Sequence, residues 1–228
     1  MNVDDLKRQA ALKAVEFVQS DMIVGLGTGS TAVHAIRAIG EMLAQGRLHQ
    51  ILAIPTSHIS AQEAQRCGIP LTTLTAHSQV DITIDGADEI DPHLNLIKGL
   101  GGALLREKIV AVASQQVVII ADDSKRVEQL GSHAPVPVEV IPFAQAPVRH
   151  YLQSLGANVV LRLKNSEPFI TDEGNIILDC YFGPLADPLQ LVRAIRQQPG
   201  VVEHGLFLGI ATEAIIASSQ GIEILSRP

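Results

Sequence analysis

Val80-Asp81-Ile82-Thr83-Ile84-Asp85-Gly86-Ala87-Asp88-Glu89-Ile90-Asp91 is the stretch on which the fold turns. The apolar run Val80 to Ile84 reads as a buried strand, and it delivers an acidic, glycine-containing cluster directly at its end. After a short spacer come Lys98-Gly99-Leu100-Gly101-Gly102-Ala103-Leu104-Leu105-Arg106-Glu107-Lys108, which places a lysine and a glutamate on a loop-to-helix transition. In open α/β sheets, ligands bind just beyond the carboxyl ends of the strands, where loops carry polar groups on a rigid frame. Asp85 to Lys108 therefore reads as a catalytic loop.

Working back toward the N-terminus, Leu6, Ala10, Ala14 and Val18 recur at a helical interval and predict an amphipathic helix over Asp4 to Val18. Met22 to Val24 predicts a short strand that breaks into Gly25-Leu26-Gly27-Thr28-Gly29-Ser30-Thr31, and a helical pattern follows through about Gln45. Such a turn presents backbone N–H groups and hydroxyls at a helix N-terminus, where the dipole favours a phosphate. A dinucleotide fingerprint would need a third glycine where Ser30 stands. It would also need an acidic residue beyond the next strand, yet that strand, Ile51 to Ile54, ends in Pro55-Thr56-Ser57. The lysine of a P-loop is missing as well, so the glycine-rich turn reads either as a tight strand-to-helix connection with no ligand or as a seat for a phosphorylated one, and points away from NAD.

His58 to Cys67 then reads as a helix, Pro70 to Leu74 as a short strand, and Ala103 to Ala113 as a helix. Val117 to Ala121 is a further apolar strand, ending in Asp122-Asp123-Ser124-Lys125. Alternating strands and helices predict a parallel, doubly wound, Rossmann-like sheet. Beyond about Glu128 the pattern changes. Val136 to Ile141 is strand-like, Gln145 to Leu155 helical and Asn158 to Leu163 strand-like. Phe169 to Phe182 reads as a hairpin around Asp172-Glu173-Gly174-Asn175, Asp187 to Gln197 as a helix, and Val201 to Leu208 as a strand. That β-α-β-β-α-β order matches a ferredoxin-like α+β arrangement. The expected organisation is a catalytic α/β domain of residues 1–128 plus 207–228, with a small inserted domain of residues 129–206. Glu213 to Ala217 and Ile222 to Leu225 close the chain as a hairpin.

Composition narrows the classes of function. The chain has 228 residues, 46% of them hydrophobic and 18% charged, which is an ordinary globular balance. Its net charge is −7 and its 17 Lys+Arg residues are scattered, arguing against a nucleic-acid surface. Cys67 and Cys180 lie far apart with no metal-ligand spacing, as expected of reduced thiols in a cytoplasmic protein. Residues 1–19 lack the pattern of a signal peptide, and the apolar runs are too short to cross a membrane.

The ordered set Gly25-Leu26-Gly27-Thr28-Gly29-Ser30-Thr31-Ala32, Asp85-Gly86-Ala87-Asp88-Glu89, Lys98-Gly99-Leu100-Gly101-Gly102-Ala103, Arg106-Glu107-Lys108, Ser124-Lys125, Val138-Glu139-Val140-Ile141-Pro142 and Gly200-Val201-Val202 resembles the A-type ribose-5-phosphate isomerases over nearly the full chain. The resemblance implies interconversion of ribose 5-phosphate and ribulose 5-phosphate, in the pentose phosphate pathway, without a metal or organic cofactor. It also implies a homodimer or homotetramer and a small-molecule phosphopentose as the partner. Glu107 matches the base that moves the carbon-bound proton, Asp85 the group for ring opening and Asp88 the one that holds sugar hydroxyls. Lys98 matches the lysine that supports the enediolate oxygen. Gly86 and Ala87, with the backbone of Gly99, Leu100 and Gly101, would close against the sugar. Thr28, Gly29, Ser30 and Thr31 would hold the phosphate with Lys125 and, more remotely, Lys7. Leu100 departs from the small or basic residue usual there, which a backbone contact would tolerate.

Other readings lead elsewhere. A sugar-phosphate-sensing regulator would need a DNA-binding module, for which one helix before the first strand leaves no room. A CoA transferase or amino-sugar phosphate deaminase on a related scaffold fits the Asp-Gly-Ala-Asp-Glu and Lys-Gly pair less well. Read in isolation, Arg106-Glu107-Lys108 is an exposed charged face and Asp85 to Glu89 a solvated turn. Glu139 reads as structural, and His34, His58, His77 and His204, among eight histidines, as surface or packing residues.

Overall fold

The computed structural model describes residues 2–227. In chain order its helices are α1 (Val3–Val15), α2 (Ser30–Ala44), α3 (His58–Arg66), α4 (Leu104–Val112), α5 (Gln145–Ser154) and α6 (Pro188–Gln197). Its strands are β1 (Ile23–Leu26), β2 (Leu52–Pro55), β3 (Val80–Gly86), β4 (Glu89–Ile90), β5 (Leu96–Ile97), β6 (Ser114–Asp122), β7 (Val136–Val140), β8 (Asn158–Leu161), β9 (Leu163–Lys164), β10 (Glu167–Pro168), β11 (Ile176–Tyr181), β12 (Val201–His204), β13 (Leu206–Phe207), β14 (Glu213–Ser218) and β15 (Gly221–Ser226). They form two compact units. The first comprises the chain up to Ala87, Arg106–Lys125 and the chain from Ile210; the second comprises Asp88–Leu105 and Arg126–Gly209.

The first unit is built on a six-stranded sheet of order β15-β14-β6-β3-β1-β2. All its pairings are parallel except the closing β14–β15 hairpin. Side-chain alternation along each strand gives the sheet two apolar faces. Val24, Leu26, Ile82, Ile84, Val118, Ile120, Ile215 and Ala217 pack with Leu6, Ala10 and Ala14 of α1 and Ala35, Ile36 and Ile39 of α2. Val110 of α4 packs with Ile54 and Val80 in a separate cluster. Helix starts follow local chemistry. Asn2 and Asp5 form a reciprocal capping box on α1, and Ser57 and Ser60 do the same on α3.

The second unit contains an antiparallel sheet of order β12-β7-β11-β8, the strand order of a ferredoxin-like βαββαβ chain. Val138, Val140, Val159, Ile176, Leu178 and Cys180 turn one face onto Val148 and Leu152 of α5 and Ile195 of α6. A separate three-stranded sheet, β13-β5-β4, joins residues on either side of that motif. The chain is thus α/β, a mostly parallel doubly wound sheet with a ferredoxin-like α+β part.

Four sequence expectations give way to other arrangements. Residues 88–105, expected with the main sheet, cluster in the second unit because β5 pairs with β4 on one side and with β13 on the other. Pro70 to Leu74 supplies only one bridge, Leu71 to Ala53, since Pro70 has no N–H to give a ladder. The hairpin expected around 172–175 reduces to the bridge between Ile170 and Ile176, because β7 takes one edge of β11 and β8 takes Leu178–Tyr181 of the other. The tight two-residue turn lies instead at Asn165-Ser166, where both residues have positive φ and link β9 to β10. Finally, 201–208 is two strands in different sheets. They break at Gly205, whose N–H donates to Pro137 O at 2.7 Å and whose carbonyl accepts from Lys98 N at 2.9 Å.

Glu139 of β7 is 1% exposed, and its Oε1 accepts from Thr171 Oγ1 at 2.8 Å and Asn175 Nδ2 at 2.9 Å. Burial nevertheless holds its carboxyl above the ordinary value of 4.5, outweighing both hydrogen bonds. Between 4.5 and that raised value the folded chain binds more protons than the unfolded one. This group's contribution is therefore complete at low pH and is lost as pH rises. Glu139→Gln should shed that loss, so the melting temperature of the variant minus that of the parent should widen as pH is raised from 4.5 toward 8. A gap that narrows over the same series would contradict the assignment.

Candidate active site

In the first unit the candidate residues at strand ends follow β1, β3 and β6, beside the end of β2. Asp85, last but one in β3, is 2% exposed, and its Oδ1 accepts from Thr28 N at 3.1 Å and Gly86 N at 2.8 Å. A buried carboxylate needs such donors to offset its lost hydration. Gly27 is what lets the two chains approach: a Cβ there would stand 2.2 Å from Asp85 Oδ1 and 2.6 Å from Asp85 Cα. The Thr28 hydroxyl lies 2.8 Å from both Thr56 Oγ1 and Ser57 Oγ, tying the end of β1 to the end of β2.

Helix α2 begins immediately after Gly29, whose φ of 112° suits glycine. No side chain caps it and no acidic residue lies in its first turn, so no side chain of that turn neutralises the positive end of its dipole. Lys7 Nζ donates to Ser30 Oγ at 3.0 Å, bringing a cation to the same helix end. Lys125 closes a 3-10 turn over Asp123–Lys125. That turn is pinned by Asp122, which is 2% exposed and accepts from both the N–H and the hydroxyl of Ser124.

Glu107 lies in the first turn of α4 and is only 4% exposed, with Lys108 at 5%. The exposed-face reading of Arg106-Glu107-Lys108 is therefore wrong. Two adjacent ionisable side chains are withdrawn from water, an expensive arrangement that stability alone seldom selects.

In the second unit, Asp88 donates its N–H to Ile97 O at 2.8 Å and accepts from Leu100 N at 2.9 Å on Oδ2. Lys98 is 4% exposed, with Nζ 5.5 Å from the centroid of the Phe207 ring. Gly99 has φ of 109°, and its carbonyl accepts from Gly102 N at 3.0 Å and from Arg162. Leu100 is engaged through its backbone while its side chain stays exposed. Among the described residues no group of three His, Cys, Asp or Glu side chains could hold a metal ion.

Residues 52–221 match the family described as Ribose 5-phosphate isomerase A (phosphoriboisomerase A). The chain belongs to that family. It is 53% identical to the ribose-5-phosphate isomerase A of Roseiflexus castenholzii, covering 97% of this chain and 95% of that protein. With the Gloeobacter violaceus enzyme the identity is also 53%, over 99% and 98%. Among solved structures, a D-ribose-5-phosphate isomerase in complex with phospho-erythronic acid superposes with a TM-score of 0.97 at 39% identity, each chain covered fully. The Plasmodium falciparum ribose 5-phosphate isomerase gives 0.95 at 43% identity, over 98% of both chains.

Some participants were not singled out from sequence. Thr56 and Ser57 follow β2 and hold the Thr28 hydroxyl; two hydroxyls at a strand end were the available signal. Glu89, inside the acidic motif, accepts from Gly131 N, His133 N and Ala134 N at 2.6 to 2.7 Å, which makes it the anchor of a loop. Arg162 and Asp179 stand 17 residues apart and far from the motif in sequence, with nothing local to mark them.

Gly27→Ala should overpack the β1–β3 contact, because the new methyl meets the backbone of Asp85 as well as its side chain. We expect a loss of about 1–3 kcal/mol, read as a lower urea midpoint at unchanged m-value. An unshifted midpoint would show that the two strand ends can part without cost.

Proposed function

We propose that this protein interconverts D-ribose 5-phosphate and D-ribulose 5-phosphate through an enediolate, as part of the non-oxidative pentose phosphate pathway. The observation that carries this reading is its likeness, over almost its whole length, to enzymes of that name. The phospho-erythronic acid named with one neighbour supports it. A phosphorylated aldonic acid offers a planar, anionic carboxylate where the substrate would develop an enediolate.

The reaction then divides among residues of this chain. Thr28, Gly29, Ser30 and Thr31 receive the phosphate at the start of α2, with Lys7 and Lys125 as point charges. Asp85 takes the proton of the C1 hydroxyl as the bond between C1 and the ring oxygen breaks and passes it on to that oxygen, giving the open aldehyde and restoring its carboxylate. Asp88, with the backbone of Gly86, Ala87, Gly99, Leu100 and Gly101, holds the sugar hydroxyls.

Glu107 removes the C2 proton, and the released pair forms C1=C2 while the carbonyl oxygen takes up negative charge beside Lys98. Glu107 returns the proton to C1 while the proton of the C2 hydroxyl passes to the oxygen on C1, which leaves a hydroxyl at C1 and the ketone at C2. No step calls for a metal or organic cofactor. A homodimer or homotetramer acting in the cytoplasm completes the proposal; the two cysteines are free thiols, and no described helix is long and apolar enough to cross a membrane.

The purified protein should convert ribose 5-phosphate to a ketopentose phosphate and leave acyl-CoA and glucosamine 6-phosphate unchanged. Absence of ketopentose would sink the reading. Glu107→Gln should lower kcat by about 10²–10⁴-fold with its melting temperature nearly unchanged. Lys98→Met should cost about 10²–10³-fold, mainly in kcat. Near-normal kcat in either variant would remove that residue from the mechanism.

A further inference from the structure

One peptide group in the second unit, Gly99–Leu100, is held at both ends by opposite charges. Its carbonyl accepts from Arg162 Nη1 at 2.7 Å, and its N–H donates to Asp88 Oδ2 at 2.9 Å. Nη1 also lies 3.1 Å from the next carbonyl, Leu100 O. The guanidinium has a mount of its own. Its Nε donates to Asp179 Oδ2 at 2.9 Å and its Nη2 to Asp179 Oδ1, a two-pronged pairing between side chains only 12% and 14% exposed. Arg162 also lies 6.0 Å from the centroid of the Phe169 ring.

This arrangement encodes a single orientation. If the peptide turned over, its carbonyl would face the Asp88 carboxylate and its N–H would face the guanidinium, so both ends would be repelled. Asp179 neutralises Arg162 and fixes its plane, which leaves Nη1 for the two carbonyls. A lysine in its place could reach one acceptor at a time, without the planar fork. The consequence falls on Asp88, whose Oδ2 is engaged by Leu100 N–H in this orientation.

We propose that Arg162 is a positioning residue for the isomerisation, anchored by Asp179 and acting on Asp88 through the Gly99–Leu100 peptide. The proposal rests on the isomerase reading above, in which Asp88 holds the sugar hydroxyls. Sub-ångström placement of such a group carries large kinetic weight, since about 1 Å of misplacement can cost on the order of 10²-fold.

A double-mutant cycle tests it. kcat and KM for ribose 5-phosphate are measured for the parent, Arg162→Met, Asp88→Ala and the double variant. Arg162→Met should lower kcat/KM by about 10- to 100-fold in the parent background. With Asp88 already removed it should change kcat/KM by no more than about twofold. Arg162→Lys should recover part of the loss. Equal losses in both backgrounds, or no loss from Arg162→Met, would overturn the proposal. Should Arg162→Met fail to fold, Arg162→Lys takes its place in the cycle. The same four proteins unfolded in urea report the Arg162–Asp88 coupling without turnover. An inactive parent chain would therefore overturn the isomerase reading, while additive unfolding energies would overturn the clamp.

Discussion

The first unit depends on a buried carboxylate meeting a backbone N–H: Asp85 Oδ1 accepts from Thr28 N at 3.1 Å, across a gap that any side chain at position 27 would fill. Gly27 N donates to Ile84 O at 3.0 Å, carrying the β1–β3 ladder beyond the end of β1. Thr28 then engages Thr56 and Ser57, and Ser57 in turn caps α3. Three strand ends and the start of a helix are thereby fixed relative to one another by short polar contacts on an apolar sheet. The same bond occupies the Thr28 N–H, so a phosphate at α2 would look to the N–H groups that follow Gly29 and to the hydroxyls of Ser30 and Thr31.

The acidic residues in or at the ends of the strands have different employment. Asp85 and Asp122 brace the turns that follow their own strands. Glu89 is consumed by three N–H groups of the 131–134 loop, and Glu139 by the side chains of Thr171 and Asn175. In each case hydrogen bonding compensates part of the cost of burial. Asp88, half-buried and engaged through Oδ2 by one loop N–H, belongs to a different environment from Glu89 beside it. Asp88 lies in the bend before β4 and Glu89 opens that strand, so neighbours in the motif need not share a task.

The sequence made legible whatever is encoded over short range. The alternation of apolar strands with amphipathic helices announced the doubly wound sheet, and the spacing after Glu128 announced the ferredoxin-like order. The glycine turn before α2 and the acid after β3 were readable because a strand end followed by small or charged residues has few structural uses. Pairing partners were not readable. That β5 joins β13, more than a hundred residues on, and that β8 takes Leu178–Tyr181 and leaves residues 169–171 only the Ile176 end of that edge, are facts of topology. Burial of Glu107 was likewise invisible, because Arg-Glu-Lys in a helix has the composition of a solvated face whichever way the helix is turned.

The loop after Lys98 shows why side-chain identity can mislead about such a chain. The side chain of Leu100 is 45% exposed, yet its N–H and carbonyl are both engaged. A contact made by the backbone transmits its requirement to φ and ψ, hence to the glycine at 99, and to the distant groups that hold the peptide. The constraint that a reader would seek at position 100 therefore lies at Gly99, at Asp88 and at Arg162. Two of these were visible as motif residues. The third became visible only when the chain had folded and brought a guanidinium from beyond β8 onto two carbonyls.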